Sequence, residues 1–188
     1  MKFDWPIDKT WTLFLDRDDV INKRRIDDYV KSWGEFEFLD GALQALAILN
    51  RHFSRIVIVS NQQGVGKGIM TQGDLDTIHE HMCQEIRLQG GDIHAVYTAT
   101  ALQEHDTEST RKPGLWMAHC AQKDFPQIDF TKSIMVGDSM SDMRFGRNAG
   151  MVTVLIGTSP HVGTAEAELV DACYPSLIAC AQAIESSL

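Results

Sequence analysis

Short apolar runs alternate with longer segments of helical periodicity along most of the chain, and this alternation constrains the fold more than any other feature. The run at residues 11–15 predicts a first strand, and the nearly continuous run at 55–60 predicts a second. Such runs are typical of parallel strands that are covered on both faces. Between them, residues 40–52 carry leucine and alanine at helical spacing. The pattern therefore predicts an α/β fold with an open parallel sheet and helices on both faces.

The same pattern continues towards the end of the chain. Further strands are predicted at residues 93–98, 133–136, 152–156 and 172–174. Helices are predicted at residues 72–89, 113–123 and 139–149, and a last one from residue 175. The length of 188 residues predicts a single domain, residues 1–188. Ligands of open parallel sheets bind at the carboxyl ends of the strands, so we expect the chemistry there.

The composition restricts the classes of partner. A formal net charge of −9 argues against nucleic acid, since nucleic-acid binders usually carry a basic footprint. No apolar run approaches the roughly 20 residues of a membrane span, so no membrane partner is expected. The start lacks the layout of a signal peptide, and a cytoplasmic location is the default expectation. The four cysteines form no CxxC pair and are expected to be reduced, and nothing specifies an oligomeric state.

Two acids, Asp16 and Asp18, follow the first predicted strand. Alternate residues of an extended chain tend to share a direction, so the two carboxylates are expected to lie close together. Two such carboxylates resist joint ionisation unless a proton or a cation relieves them. A hard divalent cation with oxygen ligands does this well, and Mg²⁺ fits a site that handles phosphate. A turn that is merely rich in aspartate is the alternative interpretation.

Candidate hydrogen-bond donors to a phosphate follow the second predicted strand and precede the helix predicted at residues 113–123. Ser60 and Asn61 offer a hydroxyl and an amide at the end of the second strand. Arg111 and Lys112 precede the helix that is predicted to begin at Pro113. A helix dipole favours anions at that end, so a carboxylate cluster or a phosphate is expected to hold Lys112. The alternative for the segment at Ser60 is a polar turn that caps a helix. The alternative for Arg111 and Lys112 is a solvated basic pair.

A further acidic segment follows the predicted strand at 133–136. Asp138 is expected near the carboxylates of the first strand if the two strands are neighbours. Asp142 falls in the first turn of the next helix, where it suits the helix dipole and supports the site. Asp138 as a simple helix cap is the alternative. Each segment alone is weak evidence, but together they place carboxylates, a hydroxyl and a lysine in order at the ends of predicted strands.

These segments resemble the motifs of the haloacid-dehalogenase-like (HAD) phosphatase superfamily. LDRDD resembles the first motif, DxD, and GDSMSD resembles the fourth, GDxxxD. Ser60 matches the serine or threonine of the second motif, and Lys112 matches the lysine of the third. The longer segments DRDDVIN, SNQQGVGKG, RKP and VGDSMSDM resemble the group of histidinol phosphatases and heptose-bisphosphate phosphatases. The resemblance covers residues 11–157 and implies a Rossmann-like core without a large cap domain.

The resemblance implies a Mg²⁺-dependent phosphatase that passes the phosphoryl group through an aspartate. Asp16 would attack phosphorus, and Asp18 would protonate the leaving oxygen and then activate water. Mg²⁺ would be held by the Asp16 carboxylate, the backbone carbonyl of Asp18 and Asp138. Ser60 and Lys112 would stabilise the phosphoryl oxygens.

The implied substrate is a small phosphorylated metabolite, and a heptose bisphosphate is favoured. The resemblance implies that Asn61 and Arg111 help to bind it. Arg25, in the basic run 23–25, is a candidate for contacting a second phosphate or another anionic group, with a solvated basic run as the alternative. Residues 27–29 are suited to sugar hydroxyls or to an amine, which keeps histidinol phosphate as an alternative substrate.

Two features depart from the family pattern. Asp19 stands where family members usually have glycine, which reaches the required backbone angles more easily, and its charge adds to a site that must admit phosphate. Asp19 is therefore a candidate substrate-contacting residue and also the reason to keep a non-catalytic phospho-ligand-binding protein as an alternative. Residues 98–110 contain His105 but no cysteine. No structural zinc is expected, because such a site needs about four ligands.

Two other classes of phosphate-handling protein fit the sequence less well. Residues 64–68, GVGKG, lack the GxxxxGK[ST] spacing of a P-loop. A receiver domain also clusters aspartates, a hydroxyl and a lysine on a parallel sheet. Its phosphoacceptor follows a middle strand, however, whereas the DxD segment here follows the first strand.

Overall fold

A computed structural model describes residues 5–26, 28–158 and 163–188. Its centre is a parallel sheet with the strand order β3-β2-β1-β4-β5-β6. The strands are β1 Thr12–Leu15, β2 Arg55–Asn61, β3 Ala95–Ala99, β4 Ser133–Gly137, β5 Val152–Ile156 and β6 Ala172–Tyr174. The parallel α/β sheet that the sequence predicts is confirmed.

Helices connect the strands of this sheet. The α-helices are α1 Ala42–His52, α2 Gln63–Gly66, α3 Gln72–Leu88, α4 Trp116–Asp124, α5 Met140–Ala149 and α6 Leu177–Glu185. Short 3₁₀ segments lie at Trp33–Glu35, Gln103–His105, Phe130–Lys132 and Ala167–Leu169. No helix in the described ranges is long and apolar enough to cross a membrane.

Strand β1 lies at the centre of the sheet and separates two layers of core. Leu13 and Leu15 pack into the larger cluster with apolar residues of α1 and α6. Phe14 points to the opposite face and packs with residues of α4 and α5. All three side chains are fully buried, as expected for a central strand whose successive side chains alternate between covered faces.

The strand order reverses at β1, which pairs with β2 on one side and β4 on the other. Leu15 lies opposite Ile58 of β2 and Val136 of β4. The backbone N–H of Asp16 still donates to the Val136 carbonyl at 2.9 Å. The carboxyl ends of these three strands therefore meet at one edge, which is the expected place for a ligand site in such a sheet.

Capping residues define where the helices that flank this edge begin. Thr71 and Asp74 form a reciprocal capping box at the start of α3. Ser139 and Asp142 form a second one at the start of α5. Each box satisfies backbone N–H groups that have no partner within the helix. Ser139, and not Asp138, is therefore the cap, so the interpretation of Asp138 as a helix cap is wrong.

The prediction that a helix begins at Pro113 is also wrong. Residues 111–114 form a turn in which Gly114 N–H donates to the Arg111 carbonyl at 2.7 Å, and α4 begins only at Trp116. Lys112 accordingly lies four residues before the helix and not at its first turn. From this turn the Lys112 side chain reaches the Val59 carbonyl of β2.

Candidate active site

A cavity of about 540 Å³ opens at the carboxyl edge of β1, β2 and β4. Polar side chains dominate its wall, and they come from the strand ends and from the loops that follow them. The lining residues include Asp16, Asp18, Arg24, Arg25, Ser60, Asn61, Gln62, Lys67, Arg111, Lys112, Asp138 and Ser139. Every predicted site residue except Asp19 lies in this wall.

A buried lysine joins two carboxylates at the base of the cavity. Lys112 Nζ lies 2.9 Å from Asp16 Oδ1 and 2.6 Å from Asp142 Oδ1, and it donates to the Val59 carbonyl at 2.8 Å. The side chains of Lys112 and Asp142 are 1% and 0% exposed. Burial alone would lower the pKa of Lys112, but the two carboxylates raise it. The lysine is therefore a fixed positive charge, as the sequence predicts for a residue held by a carboxylate cluster.

Asn61 holds the backbone of this lysine. Its Oδ1 accepts the Lys112 N–H at 3.0 Å, and its Nδ2 donates to the Lys112 carbonyl at 3.3 Å. Both ends of the amide are thus engaged with one peptide segment. The predicted role of Asn61 in substrate binding stays a prediction, and the contacts support a role in positioning Lys112.

Asp142 reaches Lys112 because two local features hold it there. Its Oδ2 accepts from the Ser139 hydroxyl at 2.6 Å and from the Ser139 N–H at 3.1 Å. Gly137 leaves the space that the side chain occupies: a Cβ at that position would lie 2.3 Å from the Cβ of Asp142. The glycine and the second aspartate of the GDSMSD segment are therefore linked by packing as well as by sequence.

Three carboxylates gather where a cation is predicted. One ligand atom from each of Asp16, Asp138 and Asp142 lies within 4.8 Å of the others. Burial, only partly offset by Lys112, raises the pKa of Asp16 to about 7. Burial and the nearby Asp142 and Asp19 charges raise the pKa of Asp138 to about 6. A hard cation relieves this repulsion, and the all-oxygen donor set fits Mg²⁺.

Among these three carboxylates, Asp16 and Asp138 are the expected Mg²⁺ ligands, since the two oxygens of Asp142 contact Lys112 and Ser139. A carboxylate must lose its proton to bind a metal, and protons compete with Mg²⁺ while the pH is near or below these raised pKa values. Without metal, the folded protein binds more protons than the unfolded chain between about pH 4 and 7, so these two groups lower its stability as the pH rises.

Mg²⁺ is therefore expected to raise the melting temperature more at pH 8 than at pH 5.5. At the higher pH both carboxylates are ionised and metal binding stabilises the folded state; at the lower pH both are largely protonated. Thermal unfolding with Mg²⁺ and with EDTA at the two pH values measures the difference. The Asp138→Asn variant should lose most of the Mg²⁺ effect at pH 8. An effect of equal size at both pH values would contradict this assignment.

Asp18 is held by donors on both carboxylate oxygens. Arg17 Nη2 and Asn22 Nδ2 donate to Oδ1 at 2.9 and 3.0 Å, and Gln62 Nε2 donates to Oδ2 at 2.7 Å. Burial opposes ionisation, but the Arg17 charge and these hydrogen bonds outweigh it and lower the pKa of Asp18. Gln62 also donates to the buried Ser60 hydroxyl at 2.8 Å. The Gln62 amide therefore connects Ser60 of the second predicted motif to Asp18 of the first.

Asp19 adopts the left-handed backbone conformation expected of glycine, with φ of 56°. Its Oδ1 accepts from the Arg24 N–H at 3.0 Å, which closes the loop after β1. The carboxylate lies in the wall of a neighbouring cavity of about 480 Å³ and not in that of the main one. The chain thus accommodates the unusual residue, and the structure does not place Asp19 where a substrate contact was predicted.

Besides the buried Arg17 and Lys112, four cations line the main cavity, and we take their more exposed side chains to mark its mouth: Arg24, Arg25, Lys67 and Arg111. Arg25 Nε also lies 3.6 Å from Asp28 Oδ2. Lys23 does not join them, because it pairs with Glu37 and faces the neighbouring cavity. The basic run 23–25 is therefore divided between two surfaces.

The loop that precedes Arg111 is organised around one carboxylate. Asp106 accepts from the Thr110 N–H, the Thr110 hydroxyl and the Arg111 N–H, each at 2.8 Å. His105, the metal-binding residue type noted in this loop, has an exposed side chain. The expectation of no structural zinc stays a prediction, and the contacts show a hydrogen-bonded means of ordering the loop.

Several residues of the site carried no clear signal in the sequence. Arg17 is 1% exposed although it lies in sequence between two acids that line the cavity. Its guanidinium reaches His79 of α3, a residue that is 62 positions away in the chain. Gln62 had one usable signal, its place two residues after Ser60 on the same strand end. The contact between Arg17 and His79 had no signal in the sequence, because it depends on how α3 packs.

The fold and the site define a hydrolase of the HAD type. The family model described as HAD-hydrolase-like matches residues 109–179, which include the segments of Lys112 and Asp138. The structure resembles D,D-heptose 1,7-bisphosphate phosphatase from B. bronchiseptica in complex with magnesium and phosphate. The TM-score is 0.81 and the identity 25%, covering 95% of this chain and 99% of the other.

Two curated relatives refine this class. D-glycero-alpha-D-manno-heptose-1,7-bisphosphate 7-phosphatase from Mycobacterium tuberculosis is 34% identical over 171 residues, covering 89% of this chain and 87% of the relative. The D-glycero-beta-D-manno-heptose-1,7-bisphosphate 7-phosphatase of Salmonella typhi is 33% identical, covering 83% and 85%. The chain belongs to the HAD phosphatase superfamily, in the group of the heptose-bisphosphate phosphatases. The resemblance read from the motifs is confirmed.

Proposed function

We propose that this protein is a Mg²⁺-dependent phosphatase that removes the 7-phosphate of D-glycero-D-manno-heptose 1,7-bisphosphate. The observation that carries the proposal is the contact of Lys112 with Asp16 and Asp142 beside Asp138, at the base of a cavity with a basic mouth. The relatives named for this activity cover most of the chain. Relatives named for each anomer match similarly well, so the anomer is to be determined by assay.

Asp16 is the proposed nucleophile. Its carboxylate lines the cavity at the end of β1, and Lys112 holds one of its oxygens. Attack on phosphorus would break its bond to the C7 oxygen, form an aspartyl-phosphate and release heptose 1-phosphate, whose C7 oxygen takes a proton from Asp18. Lys112 and the Ser60 hydroxyl would stabilise the charge of the transferring group, which is the main contribution a protein makes to phosphoryl transfer.

Asp18 is the proposed general acid and base. Its lowered pKa suits the second half of the reaction, in which it accepts a proton from the water that attacks the aspartyl-phosphate. In the first half it must be protonated. An entering phosphate adds negative charge nearby, which raises the pKa of the carboxyl and favours that form.

Asp16 and Asp138 would hold Mg²⁺, which supplies positive charge for phosphate binding and transfer when it is bound. The backbone carbonyl of Asp18 stays a predicted third protein ligand. Asp142 would contribute through Lys112 and not by direct coordination. The cytoplasmic location also stays a prediction.

The size and charge of the cavity support a bisphosphate substrate. Its volume of about 540 Å³ exceeds what one phosphoryl group needs, and its cations lie at the mouth as well as at the base. With one phosphate on Asp16, a sugar places its other phosphate towards Arg24, Arg25, Lys67 and Arg111. Charge-assisted hydrogen bonds to phosphate from arginine are among the stronger polar contacts in proteins.

The Arg24→Gln, Arg25→Gln double variant is expected to raise KM for heptose 1,7-bisphosphate about 10-fold or more, with a smaller change for a sugar monophosphate. Loss of one charge-assisted hydrogen bond costs about 1.5–3 kcal/mol, which corresponds to this factor. Steady-state kinetics on both substrates measure it. Lys23→Gln is the matched control, because Lys23 faces the other cavity. Equal effects on the two substrates would count against a second phosphate site here.

The proposed substrate is tested by a steady-state screen of both anomers of heptose 1,7-bisphosphate, histidinol phosphate, other sugar phosphates and nucleotide phosphates. We expect the highest kcat/KM for one heptose anomer. Histidinol phosphate ranks lower, because Asp28, the described carboxylate suited to its amine, already pairs with Lys31 and Arg25. Asp27 of the same run lies outside the described residues. A clear preference for histidinol phosphate would overturn the substrate assignment and leave the phosphatase chemistry in place.

A further inference from the structure

A buried arginine links the carboxylate of Asp18 to a helix behind the active site. Arg17 Nη2 donates to Asp18 Oδ1 at 2.9 Å, and Arg17 Nη1 lies 3.1 Å from His79 Nε2. The arginine is 1% exposed and His79 is 8% exposed. The guanidinium therefore spans from α3 to the strand end without contact with bulk water.

The chemistry of this contact fixes the form of the histidine. A guanidinium has only donors, so His79 Nε2 must accept, and the ring must be neutral with its proton on Nδ1. Burial and the adjacent Arg17 charge lower the pKa of His79 to about 3, in agreement with this form. His79 is therefore an acceptor and not an additional cation in the site.

We propose that His79 is a positioning residue for phosphoryl transfer: it fixes the Arg17 guanidinium, which in turn holds Asp18 in the orientation for proton transfer. The assignment rests on the proposed function. His79 lies behind Arg17 and does not line the substrate cavity, so it acts only through the arginine.

The surroundings explain why the arginine depends on this histidine. The described residues offer no partner to Arg17 Nε, so the guanidinium is held by its two terminal nitrogens alone. Leu75, Ile78 and Met82, which flank His79 on α3, are fully buried, so the histidine is anchored by the core. Without His79, the long and flexible Arg17 side chain would keep only its contact with Asp18, the carboxylate that it is proposed to orient.

Asp18 has other donors, but they do not replace this arrangement. Asn22 shares Oδ1 with Arg17, and Gln62 holds Oδ2. Arg17 supplies the only positive charge among the donors to Asp18 in the part of the chain that the structure describes. A displaced guanidinium would therefore change the orientation of the carboxylate, because Asn22 and Gln62 alone would hold it.

The test compares substrates that differ in their need for an acid. The sugar alkoxide of heptose 1,7-bisphosphate requires protonation as it leaves, whereas the phenolate of p-nitrophenyl phosphate leaves without it. The ratio kcat/KM reports the steps up to phosphoenzyme formation, so it isolates the acid step. His79→Leu should lower kcat/KM for heptose 1,7-bisphosphate by about 10- to 100-fold, part of what general acid catalysis contributes. It should change the value for p-nitrophenyl phosphate by less than about 3-fold.

Matched variants separate positioning from packing. His79→Gln keeps an acceptor at a similar distance from the backbone and should recover most of the loss on the sugar substrate. His119→Leu, at an exposed position of α4, should change neither substrate. If His79→Leu does not fold, Arg17→Lys provides the same test, because a lysine cannot bind both partners in this geometry and should show the same dependence on the leaving group.

The outcomes distinguish this inference from the proposed function. A wild-type protein that hydrolyses both substrates, with variants that lose both equally or lose neither, would overturn the role of His79 and leave the function intact. Failure of His79→Gln to recover activity in a folded protein would also count against it. A wild-type protein that hydrolyses neither substrate would overturn the proposed function, and the inference with it.

Discussion

Replacement of Asp16 by asparagine is expected to reduce kcat for phosphate release by at least about 10⁴-fold, the order of loss seen when a catalytic nucleophile is removed. The amide is nearly isosteric but is a far weaker nucleophile, and it removes the charge that pairs with Lys112. Phosphate release from heptose 1,7-bisphosphate in saturating Mg²⁺ measures the effect.

The fold should survive this change. Burial already disfavours the charged form of Asp16, and Asp142 still neutralises Lys112. We therefore expect a metal-free melting temperature within a few degrees of wild type, and loss of most of the stabilisation by Mg²⁺. Asp76→Asn, an exposed change on α3, is the matched control and should keep full activity. Normal turnover by the Asp16→Asn protein would rule out Asp16 as the nucleophile.

The Lys112→Met variant is expected to lose both stability and activity. It leaves the fully buried Asp142 carboxylate without its cation, and breaking a buried pair in this way costs about 3–5 kcal/mol. Loss of a charge that stabilises the transferring group should lower kcat by about 10²- to 10³-fold. Denaturant unfolding and steady-state kinetics measure the two effects, with the exposed Lys123→Met as control.

A second substitution separates the two losses. Asp142→Asn removes the unpaired charge and keeps an oxygen for the contact with Ser139, so it should restore part of the stability of Lys112→Met. The same change in the wild-type protein should be destabilising, because it breaks the pair from the other side. Activity should not recover in the double variant. Additive losses of stability would contradict a direct coupling between the two residues.

The parts of the site that follow from strand order were predictable from the sequence. Asp16, Ser60 and Asp138 each follow an apolar run, and parallel pairing brings the ends of such runs to one edge. The interpretation of Lys112 as a residue held by carboxylates also holds. The argument for it assumed that Lys112 lies next to a helix N-terminus, whereas α4 begins at Trp116 and the lysine lies in the preceding turn.

The remaining parts depend on packing between distant segments, which local patterns do not encode. The contact of Arg17 with His79 requires α3 to lie behind β1, and nothing in either segment specifies it. The two hydrogen bonds between the Asn61 amide and the backbone of Lys112 join segments 51 positions apart, so the local pattern around Asn61 does not indicate them. The backbone of Asp19 adopts the left-handed conformation expected of glycine, and its contact with Arg24 closes the loop, which the residue type alone does not specify.

The proposed phosphatase activity is tested most directly by the initial rate of phosphate release from heptose 1,7-bisphosphate by the wild-type protein, with Mg²⁺ and with EDTA. We expect turnover with Mg²⁺, with kcat in the range of about 1–10³ s⁻¹ that is usual for enzymes, and loss of that turnover in EDTA. A folded protein that binds the bisphosphate in the presence of Mg²⁺ but releases no phosphate above background would contradict the claim. It would make the protein a binding module on this fold.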